Sequence, residues 1–140
     1  MATVIFNSVK ADLLNADIDL AADTIKVALT TSSYTPDQDA HEFFDDITNE
    51  VTGTGYTAGG STLANPAVTI DDTDNEGVFD ADDVAWTTST ITARYGVIYK
   101  DTGTPGTSPL IAAIDFSSDK TSTAGTFTIQ WATEGILNLG

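Results

Sequence analysis

Residues 92–116 read TARYGVIYKDTGTPGTSPLIAAIDF, and this stretch decides the fold. It contains two runs of β-branched, aromatic and aliphatic residues, Thr92–Lys100 and Leu110–Phe116, a composition typical of strands. Between them, residues 102–108 are rich in glycine, proline, threonine and serine, which favours a turn. The stretch therefore predicts two consecutive strands with a turn between them.

The same pattern continues on both sides of this stretch. Further candidate strands are Thr3–Phe6, Thr24–Thr31, Thr62–Leu63, Ala67–Ile70, Gly77–Asp80, Val84–Thr88, Phe127–Ala132 and Ile136–Leu139. Residues 71–76 and 117–125 are predicted as turns, because small and polar residues interrupt the apolar pattern there. About eight short strands from Ser61 onward predict a mainly β fold, a sandwich or barrel-like structure, in a single domain spanning residues 1–140.

Two short helices are predicted near the N-terminus. Asn7 or Ser8 can cap the first helix. The second is predicted to begin at residues 35–37, where proline and aspartate suit a first turn. Its stripe of inward-facing residues would be His41, Phe44, Ile47 and Val51. The glycine-rich segment 53–60 would end this helix as a mobile connection.

Strand residues supply the expected core. In Thr24–Thr31, apolar residues alternate with Lys26 and Thr30, which predicts a half-buried strand. The strand aromatics, expected to point inward, are Trp86, Tyr95, Tyr99, Phe116, Phe127 and Trp131. The alternative for these aromatics is an exposed patch that binds sugar.

The chain is strongly acidic, with 21 Asp and Glu against 5 Lys and Arg and a net charge of −16. Such a surface repels phosphate backbones and anionic lipids, so neither a nucleic-acid nor a membrane partner is expected. It attracts divalent cations. Because the chain has no cysteine, disulfides, thiol catalysis and cysteine-bound metals are excluded.

One acidic stretch resembles a calcium loop. Asp72, Asp74 and Glu76 place side-chain oxygens at alternate positions before Gly77, as in the first half of an EF-hand loop. Asp80 follows, and Asp83 falls where the closing acid would lie. Strands rather than helices flank the stretch, so the alternative is a solvated hairpin turn. Calcium is the one ligand that these five residues suggest, and no other cofactor is expected.

No stretch of the sequence predicts an active site. The acid pairs Asp45/Asp46 and Asp82/Asp83 raise the alternative of a glycosidase, which needs two carboxylates facing each other across a cleft. The single histidine, His41, is expected to pack or cap rather than to catalyse. The single arginine, Arg94, is expected to form an internal salt bridge, with an interface role as the alternative. The chain is therefore expected not to be an enzyme.

Several segments resemble a known family. They are SSYTPDQDAHEFFDDITNEVTGTGYTAGG (32–60), WTTSTITARYGVIYKDTGT (86–104), SPLIAAIDFSSD (108–119) and FTIQW (127–131). Together with the N-terminal residues 5–47, they resemble small virion structural proteins of tailed bacteriophages, of the decoration or cement kind. The resemblance covers nearly the whole chain, and it consists of fold patterns rather than catalytic signatures.

This resemblance implies a capsid decoration or cement subunit that binds the major capsid protein on the outer surface of the virion. It implies synthesis in the host cytoplasm and a homo-oligomer, with a trimer favoured by capsid symmetry. The glycine-rich segment 53–60 and the N-terminal arm would be the contact segments. The alternative within virion proteins is a tail, fibre or adsorption component that recognises a host-surface glycan.

Overall fold

The computed structural model describes residues 1–140 as a mainly β protein, which confirms the predicted fold class. The strands are β1 (Val4–Ile5), β2 (Ile25–Thr30), β3 (Ser61–Thr62), β4 (Ala67–Asp71), β5 (Glu76–Asp80), β6 (Val84–Lys100), β7 (Leu110–Ile129) and β8 (Leu137–Leu139). One α-helix, α1 (Asn7–Leu14), and two 3-10 turns, Phe44–Asp46 and Pro105–Thr107, complete the structure. The strands form two antiparallel sheets, one of five strands and one of three.

The five-stranded sheet has the order β1-β7-β6-β2-β3 and is built around one long hairpin, β6–β7. The turn predicted at residues 117–125 is wrong, because this segment stays paired with β6. Shifts of register absorb its irregular sequence, as β-bulges do. At one of them the buried hydroxyls of Ser89 and Ser122 lie 2.7 Å apart and share a hydrogen bond.

The main core lies between the two sheets. Its 22 buried residues include Ile25 and Val27 from the large sheet and Phe79 and Leu137 from the small one. A second cluster, which includes Ala28 and Tyr34, lies on the other face of the large sheet. Strand β2 is therefore covered on both faces, and the prediction of a half-buried strand is wrong.

Helix α1 is present, but its predicted cap is not. The N-cap residue is Phe6, which makes no capping hydrogen bond through its side chain. Asn7 instead donates through Nδ2 to Asp39 at 2.6 Å, and the Ser8 hydroxyl has no partner. No helix of the structure is long and apolar enough to span a membrane.

The predicted second helix is wrong, since only the 3-10 turn Phe44–Asp46 forms in that segment. Much of its backbone bonds to distant parts of the chain: the Phe44 N–H donates to Ser108 O at 2.9 Å, and the Val51 N–H donates to Leu29 O of β2 at 2.9 Å. The apolar residues still face inward, and the Phe44 ring stacks on Tyr99 at 4.2 Å. Tertiary contacts thus satisfy both the backbone and the apolar side chains without a helix.

Candidate functional site

The small sheet, β4-β5-β8, carries an apolar surface that its own chain leaves uncovered. In the β4–β5 hairpin Val68 lies opposite Phe79 and Ile70 lies opposite Gly77, so these four residues share one face. Phe79 is buried in the core, whereas Val68 is 54% exposed and Ile70 is 82% exposed. The apolar face of the sheet therefore extends beyond the core that it covers.

This face forms one wall of a groove of about 430 Å³. The other walls come from α1 and from residues 16–21, and apolar residues make up 10 of the 12 that line the groove. They include Leu13, Ile18, Leu20, Val68, Leu137 and Leu139. Asp19 is the one charged lining residue. The groove can therefore accept an apolar group beside a negative charge.

Gly77 makes the floor of the outer part of this face. The register places it between Ile70 on one side and Leu139 on the other. A Cβ atom at Gly77 would have only Leu139 O within 4 Å, at 4.0 Å, so the space above this residue is open. The exposed apolar side chains of Ile70 and Leu139 thus flank a trough, and Gly77 at its bottom contributes no side chain.

The predicted metal residues are only partly brought together. The carboxylates of Asp71, Asp74 and Glu76 lie within 4.8 Å of one another at the tip of the β4–β5 hairpin. Asp72 is exposed at the same tip but does not belong to this group. Asp71, which the sequence analysis did not single out, replaces it. Its position at the end of a strand before a turn was the available signal, because aspartate there often accepts backbone hydrogen bonds.

The other two predicted ligands lie elsewhere. Asp80 pairs with Ala67 at the far end of the hairpin, about 13 Å along the strand from the tip. One oxygen of Asp80 is buried without a partner. Asp83 accepts a hydrogen bond from the Trp131 N–H at 2.9 Å. Of the five predicted ligands, the structure thus brings only Asp74 and Glu76 together.

The tip carboxylates are already used within the hairpin. Asp71 Oδ1 accepts the N–H groups of Thr73 at 2.8 Å and Asp74 at 3.2 Å, and Glu76 accepts from Asn138 Nδ2. Calcium requires six to eight oxygen ligands, and three carboxylates at an exposed turn supply only part of that set. The hydrogen bonds of the tip support the hairpin-turn alternative.

The two acid pairs have structural partners. Asp46 accepts the backbone N–H groups of Glu42 at 2.8 Å and Phe43 at 3.1 Å, and these bonds lower the pKa of Asp46. Asp82 accepts from Asn65 Nδ2 at 2.6 Å. One acid of the first pair thus holds its own turn, and Asp82 and Asp83 bond to distant residues.

The lone histidine and the lone arginine take the predicted structural roles. The His41 ring stacks on Tyr34 with centroids 5.6 Å apart, and its Nδ1 lies 3.2 Å from the Asp37 N–H. Arg94 donates through Nε and an Nη to the two oxygens of Asp115, at 2.6 and 3.1 Å. This pairing lowers the pKa of Asp115. The predicted internal salt bridge is confirmed.

The glycine-rich segment 53–60 is held in place, in contrast to the expected mobile connection. The Tyr56 hydroxyl donates to Glu50 Oε1 at 2.7 Å and accepts the Leu29 N–H at 2.9 Å. The Gly59 N–H donates to the same Glu50 oxygen at 2.6 Å. At Gly60, where φ is +78°, a Cβ atom would lie 1.9 Å from Val27 O. Because these glycines have no side chains, the segment can pack closely against β2 and β6.

The N-terminal arm is also paired: β1 adds to the edge of the large sheet beside β7, and the terminal ammonium donates to Gly135 O at 3.2 Å. The strand aromatics are all buried or half-buried, as predicted.

The uncovered apolar face around Ile70 is the surface that the sequence did not predict. Val68 and Ile70 were recognised as strand residues, but their exposure depends on β4 being an edge strand.

No protein-family model, curated protein or solved structure matches this chain.

Proposed function

We propose that this chain is a structural subunit of a tailed-phage virion that binds the outside of the capsid as a decoration or cement protein. The resemblance of its segments to that family suggests the class. The observation that carries the proposal is the uncovered apolar groove beside Ile70, on a chain of net charge −16. Exposed apolar patches on otherwise polar surfaces mark sites of association.

The proposed mechanism is physical. Many copies bind at junctions between major capsid proteins and bury surface there. Binding to the closed shell and not to the opened one raises the free energy needed to open the shell, by mass action. A homotrimer would match the local symmetry of a capsid and would let one subunit assembly bridge several capsid proteins.

Cosedimentation tests the proposal. Heads of a phage that encodes this chain are assembled without it and mixed with the purified protein. We expect saturable binding and a rise in the melting temperature of the heads. A matched sample with chelator separates the capsid contact from any role of the acidic tip. If the heads bind no protein even at protein concentrations high enough to detect a weak interface, the proposal is contradicted.

A further inference from the structure

We infer that the groove formed by α1, residues 16–21 and the β4-β5-β8 sheet binds a protein segment in which lysine or arginine flanks an apolar side chain. The apolar side chain would lie over Gly77, between Ile70 and Leu139. This inference rests on the proposed function in one respect, that the segment belongs to the capsid. It assigns the groove a ligand chemistry that can be tested without a capsid.

The shape of the groove sets the apolar part of the ligand. Across the outer row of the sheet, Ile70, Gly77 and Leu139 stand side by side in register. Ile70 is 82% exposed and Leu139 is 42% exposed, so each has apolar area to lose to a partner. Between them, the open space over Gly77 accepts one side chain and orients it along the trough.

The charges around the groove set the polar part. Asp19 lies in its wall, and the hairpin tip, which follows the Ile70–Gly77 pair in the register, carries Asp71, Asp72, Asp74 and Glu76. No lysine or arginine lines it. A partner with basic residues beside its apolar side chain gains attraction at both positions, whereas an acidic partner is repelled.

The same charges disfavour a second copy of this chain as the occupant. A symmetric dimer through this face would bring the acidic tips and the Asp19 side chains of the two copies into one interface. The chain has five basic residues, and three of them, Lys26, Arg94 and Lys100, are already ion-paired with its own acids. The remaining Lys10 and Lys120 bond to Asn7 and Ser118. A second copy therefore has few cations to offer.

The closing experiment uses three synthetic peptides, Lys-Leu-Lys-Leu-Lys, Lys-Ser-Lys-Ser-Lys and Glu-Leu-Glu-Leu-Glu, titrated into the isotope-labelled protein by NMR. We expect the first to shift the amide resonances of β4, β5 and β8. The second should bind more weakly and the third should not bind. Because the attraction is partly ionic, affinity for the first should fall as salt rises.

Two variants and one matched control locate the site. Ile70→Asp puts a charge in place of the exposed apolar side chain that flanks the trough at Gly77, and Thr69→Asp adds the same charge to the same strand on its other face, where Thr69 is also exposed. Gly77→Val fills the trough from a backbone position that needs no positive φ. We expect Ile70→Asp and Gly77→Val to weaken binding about tenfold, the loss expected for one apolar contact, with Thr69→Asp near wild type.

The same variants applied to phage heads separate this inference from the proposed function. If wild type binds heads and Ile70→Asp binds as well as Thr69→Asp, the groove is not the contact, and the inference is overturned while the proposed function stands. If the first peptide shifts the groove resonances while heads bind no protein, the groove chemistry holds and the proposed function fails. Self-association that Ile70→Asp abolishes would overturn the inference in favour of a second copy.

Discussion

Tyr56→Phe tests whether the glycine-rich segment 53–60 is fixed to the large sheet before any partner binds. The substitution removes one oxygen and keeps the ring. That oxygen donates to Glu50 Oε1 at 2.7 Å and accepts the Leu29 N–H at 2.9 Å. This hydroxyl therefore links Tyr56 both to Glu50 and to the backbone of β2. Burial and the Glu50 carboxylate raise the pKa of Tyr56, so the hydroxyl stays protonated and donating at neutral pH.

The cost of this substitution follows from the groups left behind. Leu29 is fully buried, so water cannot reach its N–H easily. A buried donor without a partner costs about 1–3 kcal/mol, and the lost bond to Glu50 adds about 0.5–1.5 kcal/mol. Since the Gly59 N–H still bonds to the same Glu50 oxygen, the lower half of the second range applies. We expect the free energy of unfolding to fall by about 2 kcal/mol.

Urea denaturation measures this loss. With a slope near 2 kcal/mol/M, the midpoint should move down by about 1 M. Tyr95→Phe is the matched control, because the Tyr95 hydroxyl takes part in none of the hydrogen bonds of the structure, although its ring packs edge-on against Tyr34. It should change stability by less than about 0.5 kcal/mol. Equal midpoints for the two variants would show that the hydroxyl does not hold the segment, and the reasoning would fail.

Three further predictions concern the packing and the acids. Gly60→Ala should destabilise the fold by more than Gly103→Ala in urea titrations: both glycines have positive φ, but a Cβ atom clashes with Val27 O at Gly60 and meets nothing within 4 Å at Gly103. Asp46→Asn should cost about 1 kcal/mol at pH 7, because an amide oxygen is a weaker acceptor than the carboxylate for the Glu42 and Phe43 N–H groups. Because the folded pKa of Asp46 is lowered, its contribution is present above the unfolded pKa near 4 and is lost as pH falls through the folded pKa, so the two melting temperatures should converge in acid. Finally, chelator should leave the melting temperature unchanged, since the tip carboxylates are held by the hairpin itself; a marked drop that Asp74→Asn reproduces would instead establish a calcium site.

The strands were predictable because their signal is local. Alternating and β-branched residues placed six of the eight strands within one or two residues, including β4 and β5, and predicted each of β6 and β7 as two shorter strands. The turn at residues 117–125 was wrongly predicted because glycine, serine and threonine there resemble a loop, while pairing with β6 keeps the segment extended through bulges. Local composition cannot reveal that a neighbouring strand is long enough to supply partners.

The second helix failed for a related reason. The stripe of Phe44, Ile47 and Val51 has helical spacing, and all three side chains do pack inward. Backbone partners such as Ser108 and Leu29 come from distant parts of the chain, however, and they satisfy the segment in an irregular conformation. The prediction was thus correct about which side chains are buried and wrong about the backbone conformation that buries them.

The candidate site could not be predicted from the sequence, because it exists only where no other part of the chain covers β4. Ala67–Asp71 has the same alternating character as an interior strand, and only the order β4-β5-β8 leaves its outer edge free. The sequence did identify the acidic tip, although it chose Asp72 where the structure uses Asp71. The sequence therefore predicted contacts between residues close in the chain nearly correctly. The uncovered apolar face beside Ile70 could be found only from the arrangement of the strands in the fold.

An exposed edge strand with apolar residues is a hazard, because its free backbone groups can pair with another copy. Here the apolar pair Val68 and Ile70 lies directly before the acidic tip, and the whole chain carries a net charge of −16. Like charges disfavour pairing of this edge strand with the same edge of another copy at low salt, since the repulsion acts before the apolar faces meet. A basic partner experiences the opposite force. The charges that disfavour self-association at the groove would thus also favour the basic partner that we infer.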